Sequence, residues 1–149
     1  MPCSLAISSL SLGRAWIHKL PAKLDQAQRY GYSGIELFYE DLVYFARDLY
    51  GTADFPECLD AAGHIRRLCE RRKLSIVSLG PFSHCEGLVS PAARAQMFAR
   101  LDEWMELAKA LGTDIIQIPS NFLPADKTTG DLDVIVDDLT EVADRGRRQ

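Results

Sequence analysis

Short apolar runs alternate along this chain with longer stretches in which apolar residues recur every three or four positions. Four such runs stand between breaker residues, at 5–10, 34–38, 74–79 and 114–118. The stretches that follow have helical periodicity, and the clearest carries the apolar positions Phe98, Leu101, Trp104, Met105, Ala108 and Leu111. Strands that alternate with helices predict βαβ units and a parallel sheet. The pattern therefore predicts an α/β fold with four consecutive βα units.

The connection after the second apolar run and the last helix have further features that the sequence predicts. Gly51, Pro56 and Gly63 interrupt the chain after the second run, which predicts a long connection before the next helix. The last predicted helix has an apolar face that consists of Leu132, Ile135, Val136, Leu139 and Val142. The same helix carries four acidic residues that we expect to form a solvated face: Asp131, Asp133, Asp137 and Asp138.

Four consecutive βα units fit either an open doubly wound sheet or part of a closed (β/α)8 barrel. A chain of 149 residues falls within the usual size of one domain. The sequence has no G-x-G-x-x-G after the first predicted strand and no G-x-x-x-x-G-K-[ST], so dinucleotide-binding and P-loop domains are disfavoured. A flavodoxin-like sheet stays open on length alone.

Composition narrows the class of protein and its partners. The chain is 47% hydrophobic and 26% charged, as soluble globular domains are, and its net charge of −4 gives no electrostatic reason to expect nucleic acid or an anionic membrane. No apolar run approaches the roughly 20 residues of a membrane span, and no secretory signal is evident. The four cysteines form no C-x-x-C pair. We therefore expect a cytoplasmic protein with reduced thiols.

Candidate site residues follow from the position of strand ends, because the carboxyl ends of barrel strands carry the chemistry. The candidates for substrate contact are Glu36, Phe82, His84, Gln117 and Asn121. Glu36 interrupts an apolar strand, where a carboxylate needs a partner or a neutral form. An ion pair with an inward Arg or Lys explains Glu36 as well as a substrate contact does. Gln117 could equally bond a neighbouring strand end, and a loop histidine such as His84 is commonly just exposed.

The sequence does not assemble a catalytic or metal constellation. It contains neither H-E-x-x-H nor G-x-S-x-G. Glu40 and Asp41 would point to opposite sides if they were strand residues, so they could not share one ion. We therefore predict no catalytic residue and no metal ligand from the pattern alone.

Several segments at the predicted strand ends match a known family in the same order along the chain. They are Leu5–Arg14, Gly34–Phe38 with Glu40–Leu42, Pro81–Ser83 with Gly87–Leu88, Thr113–Pro119 with Asn121–Pro124, and Glu141–Asp144. These segments resemble the fungal 3-dehydroshikimate dehydratases of quinate catabolism, within the sugar-phosphate isomerase/epimerase (xylose isomerase-like) TIM barrel superfamily. The Gly-Ile-Glu-Leu-Phe segment is general to the superfamily, whereas Asp-Ile-Ile-Gln-Ile-Pro with Asn-Phe-Leu-Pro is more specific.

The resemblance implies a parallel (β/α) TIM barrel and a lyase. The family converts 3-dehydroshikimate to protocatechuate and water with a divalent metal, magnesium or manganese. Its metal-binding carboxylates and catalytic histidine come from the later strands, so no metal ligand is carried over to this chain. The resemblance leaves Glu36, Phe82, Gln117 and Asn121 as substrate-side contacts. Gly80 departs from the family, since a glutamine is expected before Pro-Phe.

A complete (β/α)8 barrel takes about 250 residues. Residues 1–149 are therefore expected to be the N-terminal half of one barrel domain, with the C-terminal half absent, no activity and no cofactor on this chain alone. Two other functions stay open. One is a sugar or sugar-phosphate isomerase or epimerase of the same superfamily. The other is a non-catalytic half-barrel that self-associates through open sheet edges.

Overall fold

The computed structural model describes residues 4–148, in which parallel strands alternate with helices. The elements in chain order are β1 (Ala6–Ser8), a 3₁₀ helix (Ser9–Leu12), α1 (Leu20–Arg29), β2 (Gly34–Phe38), α2 (Tyr39–Tyr50), α3 (Phe55–Arg71), β3 (Ser75–Gly80), α4 (Pro91–Leu111) and α5 (Leu132–Arg148). The described residues divide into two compact units. Unit 1 contains residues 4–80 and 106–116, and unit 2 contains residues 81–105 and 117–148. None of the helices in residues 4–148 has both the length and the hydrophobicity of a transmembrane span.

Unit 1 contains a three-stranded parallel sheet in the order β1-β2-β3. Glu36 of β2 stands opposite Ser8 of β1 and Ser78 of β3. The register shifts on β3 between the partners of Ile35 and Glu36, so that Val77 is an extra, bulged residue. Parallel pairing of consecutive strands is what the βαβ pattern predicts. The prediction is confirmed for the first three strands.

The predicted fourth strand differs in the structure. It is reduced to one parallel bridge between Leu79 and Ile116, supported by a 3.0 Å hydrogen bond from the Leu79 N–H to the Ile115 carbonyl. Ile115 is 53% exposed. The segment pairs with β3 on one side only among the described residues, and an edge segment with unpaired backbone groups gains little from extended pairing.

The predicted long connection after β2 is wrong, because two helices occupy it. Pro56 lies at the beginning of α3, where the missing N–H of proline costs nothing. Gly51 follows α2 with a left-handed φ of 79°, as helix C-caps do. Gly63 lies inside α3, where a glycine costs about 1 kcal/mol relative to alanine. Burial of neighbours such as Ala62 and Ile65 offsets that cost.

Unit 2 is held together by charged contacts between α4 and α5. Nη1 of Arg145 donates to both carboxylate oxygens of Asp102, at 2.9 and 2.8 Å, while Nε donates to Glu141 at 2.8 Å. The guanidinium carbons of Arg94 and Arg145 lie 4.7 and 4.6 Å from the Phe98 ring centroid. These charge-assisted hydrogen bonds and cation–π contacts add to the stabilisation from burial of the ring.

The faces of α5 differ from the prediction in two ways. Asp138 is 1% exposed, accepts the Gly87 N–H at 2.9 Å and pairs with Arg94. The expected solvated face is therefore wrong for Asp138, because these donors compensate its burial. Conversely, Leu132 and Val136 of the predicted apolar face are 73% and 58% exposed, since nothing in the described part of the chain covers that side.

The cysteines at positions 58, 69 and 85 are buried free thiols, while Cys3 lies outside the described residues. Burial raises the pKa of Cys69 from 9.0 to about 12 and that of Cys85 to about 11. A Cys3→Ser chain should therefore react with Ellman's reagent slowly at pH 8 and fully once unfolded in urea. Fast reaction of the folded chain would contradict this.

The raised thiol pKa values also set the sign of a pH dependence. The folded chain favours the neutral thiol. The contribution of this thiol to the free energy of unfolding is therefore fully present at pH values below 9.0, the pKa of the thiol in the unfolded chain. As the pH rises from there toward about 12 for Cys69, the unfolded chain ionises first and stability falls.

Candidate functional site

A row of polar side chains crosses the sheet of unit 1 near its carboxyl edge. Ser8, Glu36 and Ser78 are partners in adjacent strands and share one face of the sheet. On the opposite face, Ile35 and Leu37 of β2 are fully buried. Glu36 is half-buried, and residues 4–148 offer its carboxylate no hydrogen bond or ion pair. The inward Arg or Lys that would have explained Glu36 structurally is thus not found in the described chain.

A buried ion pair supports the strand ends next to this row. Lys23 Nζ lies 2.6 Å from Asp41 Oδ1, and the Ser9 hydroxyl donates to Asp41 Oδ2 at 2.6 Å. The Ser9 hydroxyl oxygen also accepts the Phe38 N–H at 2.9 Å. Lys23, Asp41 and Ser9 are each at most 2% exposed. These contacts tie the end of β1 to the end of β2 and the beginning of α2, without access to a ligand.

Sequence reasoning missed this ion pair, although one signal was available. Lys23 lies three residues after Leu20 and four before Ala27, within the apolar face of α1. A charged residue at such a position needs a buried partner of opposite charge. The first turn of α2 supplies it in Asp41, which the sequence pattern could not connect to Lys23.

In unit 2, the structure brings together His84 and Asn121, two of the predicted contacts. His84 Nδ1 lies 3.1 Å from Asn121 Oδ1, which also accepts the Leu123 N–H at 2.9 Å. Asn121 is anchored to Glu86 at two points. Its side-chain amide donates to the Glu86 carbonyl at 2.7 Å, and its backbone N–H donates to Glu86 Oε1 at 2.6 Å.

His84 has an unusual backbone and lies against a cavity. Its φ is +61°, a region that non-glycine residues seldom occupy and that often marks functional positions. The Phe122 ring centroid lies 4.5 Å from that of His84. A cavity of about 270 Å³ is lined by His84, Leu88, Ala93, Gln96, Met97 and Arg100.

The other two predicted contacts of unit 2 have different roles. Phe82 is fully buried and meets the Trp104 ring edge-on, with centroids 5.1 Å apart. Its side chain has no surface to offer a ligand, so Phe82 is a packing residue in this structure, contrary to the predicted substrate contact. Gln117 accepts the Phe82 N–H at 2.9 Å through its backbone carbonyl, while its side chain is exposed. The structure gives the Gln117 amide no role.

The divalent metal implied by the resemblance does not fit the residues present. Among residues 4–148, no three side chains of His, Cys, Asp or Glu come together in an arrangement that could hold a metal ion. We therefore assign no metal role to Glu36, His84 or Glu86.

Comparison with known protein families decides the fold family. A family model described as "Xylose isomerase-like TIM barrel" matches residues 24–149. The chain belongs to the xylose isomerase-like TIM barrel family. The predicted fold class is thereby confirmed, and the open flavodoxin-like sheet is not the fold. The three parallel strands of unit 1 are an incomplete set for such a barrel.

Named relatives of this TIM barrel chain share one description. This chain is 52% identical over 153 residues to a Neurospora crassa protein named 3-dehydroshikimate dehydratase. The match covers 98% of this chain and 43% of the relative. A Pseudomonas putida protein of the same name is 29% identical, over 80% of this chain and 16% of the relative. The chain thus spans less than half the length of the curated relatives it matches.

A solved structure supports the same family of barrels. A xylose isomerase-like TIM barrel/4-hydroxyphenylpyruvate dioxygenase fusion protein superposes with a TM-score of 0.78 at 26% identity. The match covers 98% of this chain and 21% of the fusion protein.

Proposed function

We propose that this chain supplies the first βα units of a 3-dehydroshikimate dehydratase, a lyase that converts 3-dehydroshikimate to protocatechuate and water. The observation that carries the proposal is the 52% identity to the Neurospora protein of that name over 98% of this chain. The matched region includes the strand ends, where barrels of this class carry their substrate contacts.

Within the proposal, Glu36 is a substrate contact. Its carboxylate is half-buried beside Ser8 and Ser78 and has no partner in the described residues. A carboxylate in this position needs hydrogen-bond donors, and the hydroxyl groups of a polyhydroxylated ring supply them. Asn121, His84 and Gln117 remain candidate contacts of unit 2.

We further propose that the activity needs residues outside residues 1–149, which would form the N-terminal half of one barrel domain. The support is the share of the Neurospora relative that this chain covers, 43%. The ligands of a divalent metal, magnesium or manganese, belong to the remaining part in this proposal. A cytoplasmic location, expected from the cysteine pattern, is part of the same proposal.

A chimera tests the proposed function. The segment of the Neurospora protein that follows the matched region is joined after Gln149, and the product is checked for folding by circular dichroism. We expect metal-dependent formation of protocatechuate from 3-dehydroshikimate, and none from the 149-residue chain at equal concentration. A folded chimera that turns over a ketose or sugar phosphate but not 3-dehydroshikimate would favour the isomerase alternative. Product from the chain alone would contradict the need for further residues.

A second candidate function is a non-catalytic half-barrel that self-associates. The exposed apolar positions Leu132 and Val136 on α5, and the one-sided pairing of Ile116 among the described residues, favour it. Sedimentation of the purified chain distinguishes the two, because a monomer over the accessible concentration range would exclude self-association.

A further inference from the structure

The hydrogen-bond network around Asn121 fixes the orientation of its side-chain amide. The Leu123 N–H can only donate, so the atom 2.9 Å from it must be the amide oxygen. The Glu86 carbonyl can only accept, so the atom 2.7 Å from it must be the amide nitrogen. A flipped amide would lose both bonds and face like groups. Asn121 Oδ1 is therefore an acceptor on the side of His84.

The fixed amide determines which ring nitrogen of His84 carries the proton. Nδ1 lies 3.1 Å from Asn121 Oδ1, which has no hydrogen to give, so Nδ1 must be the donor. In the neutral ring, the lone pair is then on Nε2. Residues 4–148 provide no hydrogen-bond partner for Nε2. The lone pair is thus available to a ligand.

Neighbouring groups restrain the position of the His84 ring as well as its tautomer. Glu86 is 8% exposed and binds Asn121 through both its carboxylate and its carbonyl. The Phe122 ring packs against the imidazole, and the backbone of His84 keeps a strained φ of +61°. Strain of this kind persists where the surroundings over-determine a conformation.

The cavity beside His84 presents a second oriented polar group. Arg100 donates from Nη2 to the Ser83 carbonyl at 2.7 Å, and its guanidinium carbon lies 4.6 Å from the Phe82 ring centroid. These contacts restrain the guanidinium and leave its other N–H groups free to pair with an anion. Gln96 adds an amide, and the remaining lining is apolar: Leu88, Ala93 and Met97.

We infer that this cavity binds a compact hydroxycarboxylate, with Arg100 paired to the carboxylate and His84 Nε2 accepting the hydrogen of a hydroxyl group. A volume of about 270 Å³ is slightly smaller than that of most drug-sized ligand sites and suits a single-ring ligand. Asn121 and Glu86 are positioning residues that act through the imidazole. The inference rests in part on the proposed function, since 3-dehydroshikimate is a hydroxycarboxylate. It goes further in naming Arg100 as the partner of the ligand's carboxylate and His84 as the partner of a ligand hydroxyl group.

The tautomer is tested directly by ¹⁵N NMR of the imidazole in the 149-residue chain. We expect a protonated Nδ1 and a lone pair on Nε2 at a pH where the ring is neutral. Asn121→Ala should shift the ring toward the Nε2–H form that predominates in free histidine. Thr128→Ala is the matched control, because it removes only the 3.3 Å contact of the Asn121 amide with Thr128. An Nε2–H ring in the unaltered chain would overturn the inference.

Ligand binding is tested with shikimate, a stable hydroxycarboxylate, titrated into the same chain. We expect Arg100→Gln to raise the dissociation constant about tenfold or more. Arg66→Gln, an equal charge change at the exposed Arg66–Glu70 pair, should leave it unchanged. His84→Asn should also weaken binding, since asparagine tolerates the positive φ but loses the imidazole. Equal binding of shikimate and its uncharged methyl ester would overturn the carboxylate assignment.

The two proposals can fail separately. Shikimate binding that depends on Arg100, together with a chimera that does not dehydrate 3-dehydroshikimate, would keep the cavity and reject the dehydratase. A dehydratase chimera whose activity and Michaelis constant are unaffected by Arg100→Gln would keep the function and reject the cavity as its site.

Discussion

Asp41→Ala should lower the free energy of unfolding by about 3–5 kcal/mol, because it leaves a buried lysine without its counter-charge. Lys23 and Asp41 are 1% and 2% exposed and 2.6 Å apart, so water cannot replace the lost carboxylate. The Ser9 hydroxyl loses its acceptor in the same substitution. Urea unfolding followed by circular dichroism measures the loss.

The same two helices provide a matched control. Lys19, which precedes α1, pairs with Asp48 of α2 at the same distance of 2.6 Å, but with side chains 62% and 40% exposed. Asp48→Ala should therefore cost less than about 1 kcal/mol. Equal losses for Asp41→Ala and Asp48→Ala would show that burial does not decide the effect and would contradict the prediction.

Phe82→Ala should cost about 3–5 kcal/mol, as large-to-small changes at fully buried aromatic positions do. The ring is 0% exposed, meets Trp104 edge-on and lies under the Arg100 guanidinium. Its removal leaves a cavity and removes both of these ring contacts at once. The measurement is the urea midpoint, read together with the slope, which should stay constant if only the folded state is affected.

Phe122→Ala is the control for this substitution. Phe122 is 72% exposed, so its loss should change the free energy of unfolding by less than about 1 kcal/mol. A small effect of Phe82→Ala, comparable to that of Phe122→Ala, would instead return Phe82 to the list of candidate substrate contacts.

The spacing of apolar residues predicts some of the strands and helices directly. The β2 run and the α4 segment each repeat their apolar positions at one spacing only, and both are found. The segment that forms α2 also has a helical period, since Leu42, Ala46 and Leu49 are four and three residues apart, but the breaker residues that follow it were given more weight than this spacing. Glycine and proline were also weaker signals than expected, since Gly63 and Pro56 both lie within α3.

The candidate site could be predicted only in part, because it depends on pairings between distant residues. His84 and Asn121 were identified separately from their strand-end positions, but their contact joins residues 37 apart. Glu86 and Asp138 were missed, since the pattern treats carboxylates as solvated unless a partner is known. Each is buried here by donors from another segment, which no local spacing could indicate.

The carboxylate of Asp138 joins two segments that lie 51 residues apart in the chain, α5 and the loop that contains Gly87. The Gly87 N–H has no solvent partner while that bond stands, and Asp138 has Arg94 as its other partner. Local opening of α5 must therefore release the amide proton of Gly87, and the two segments form one cooperative unit of hydrogen exchange. The loop that presents His84 is thus only as rigid as α5.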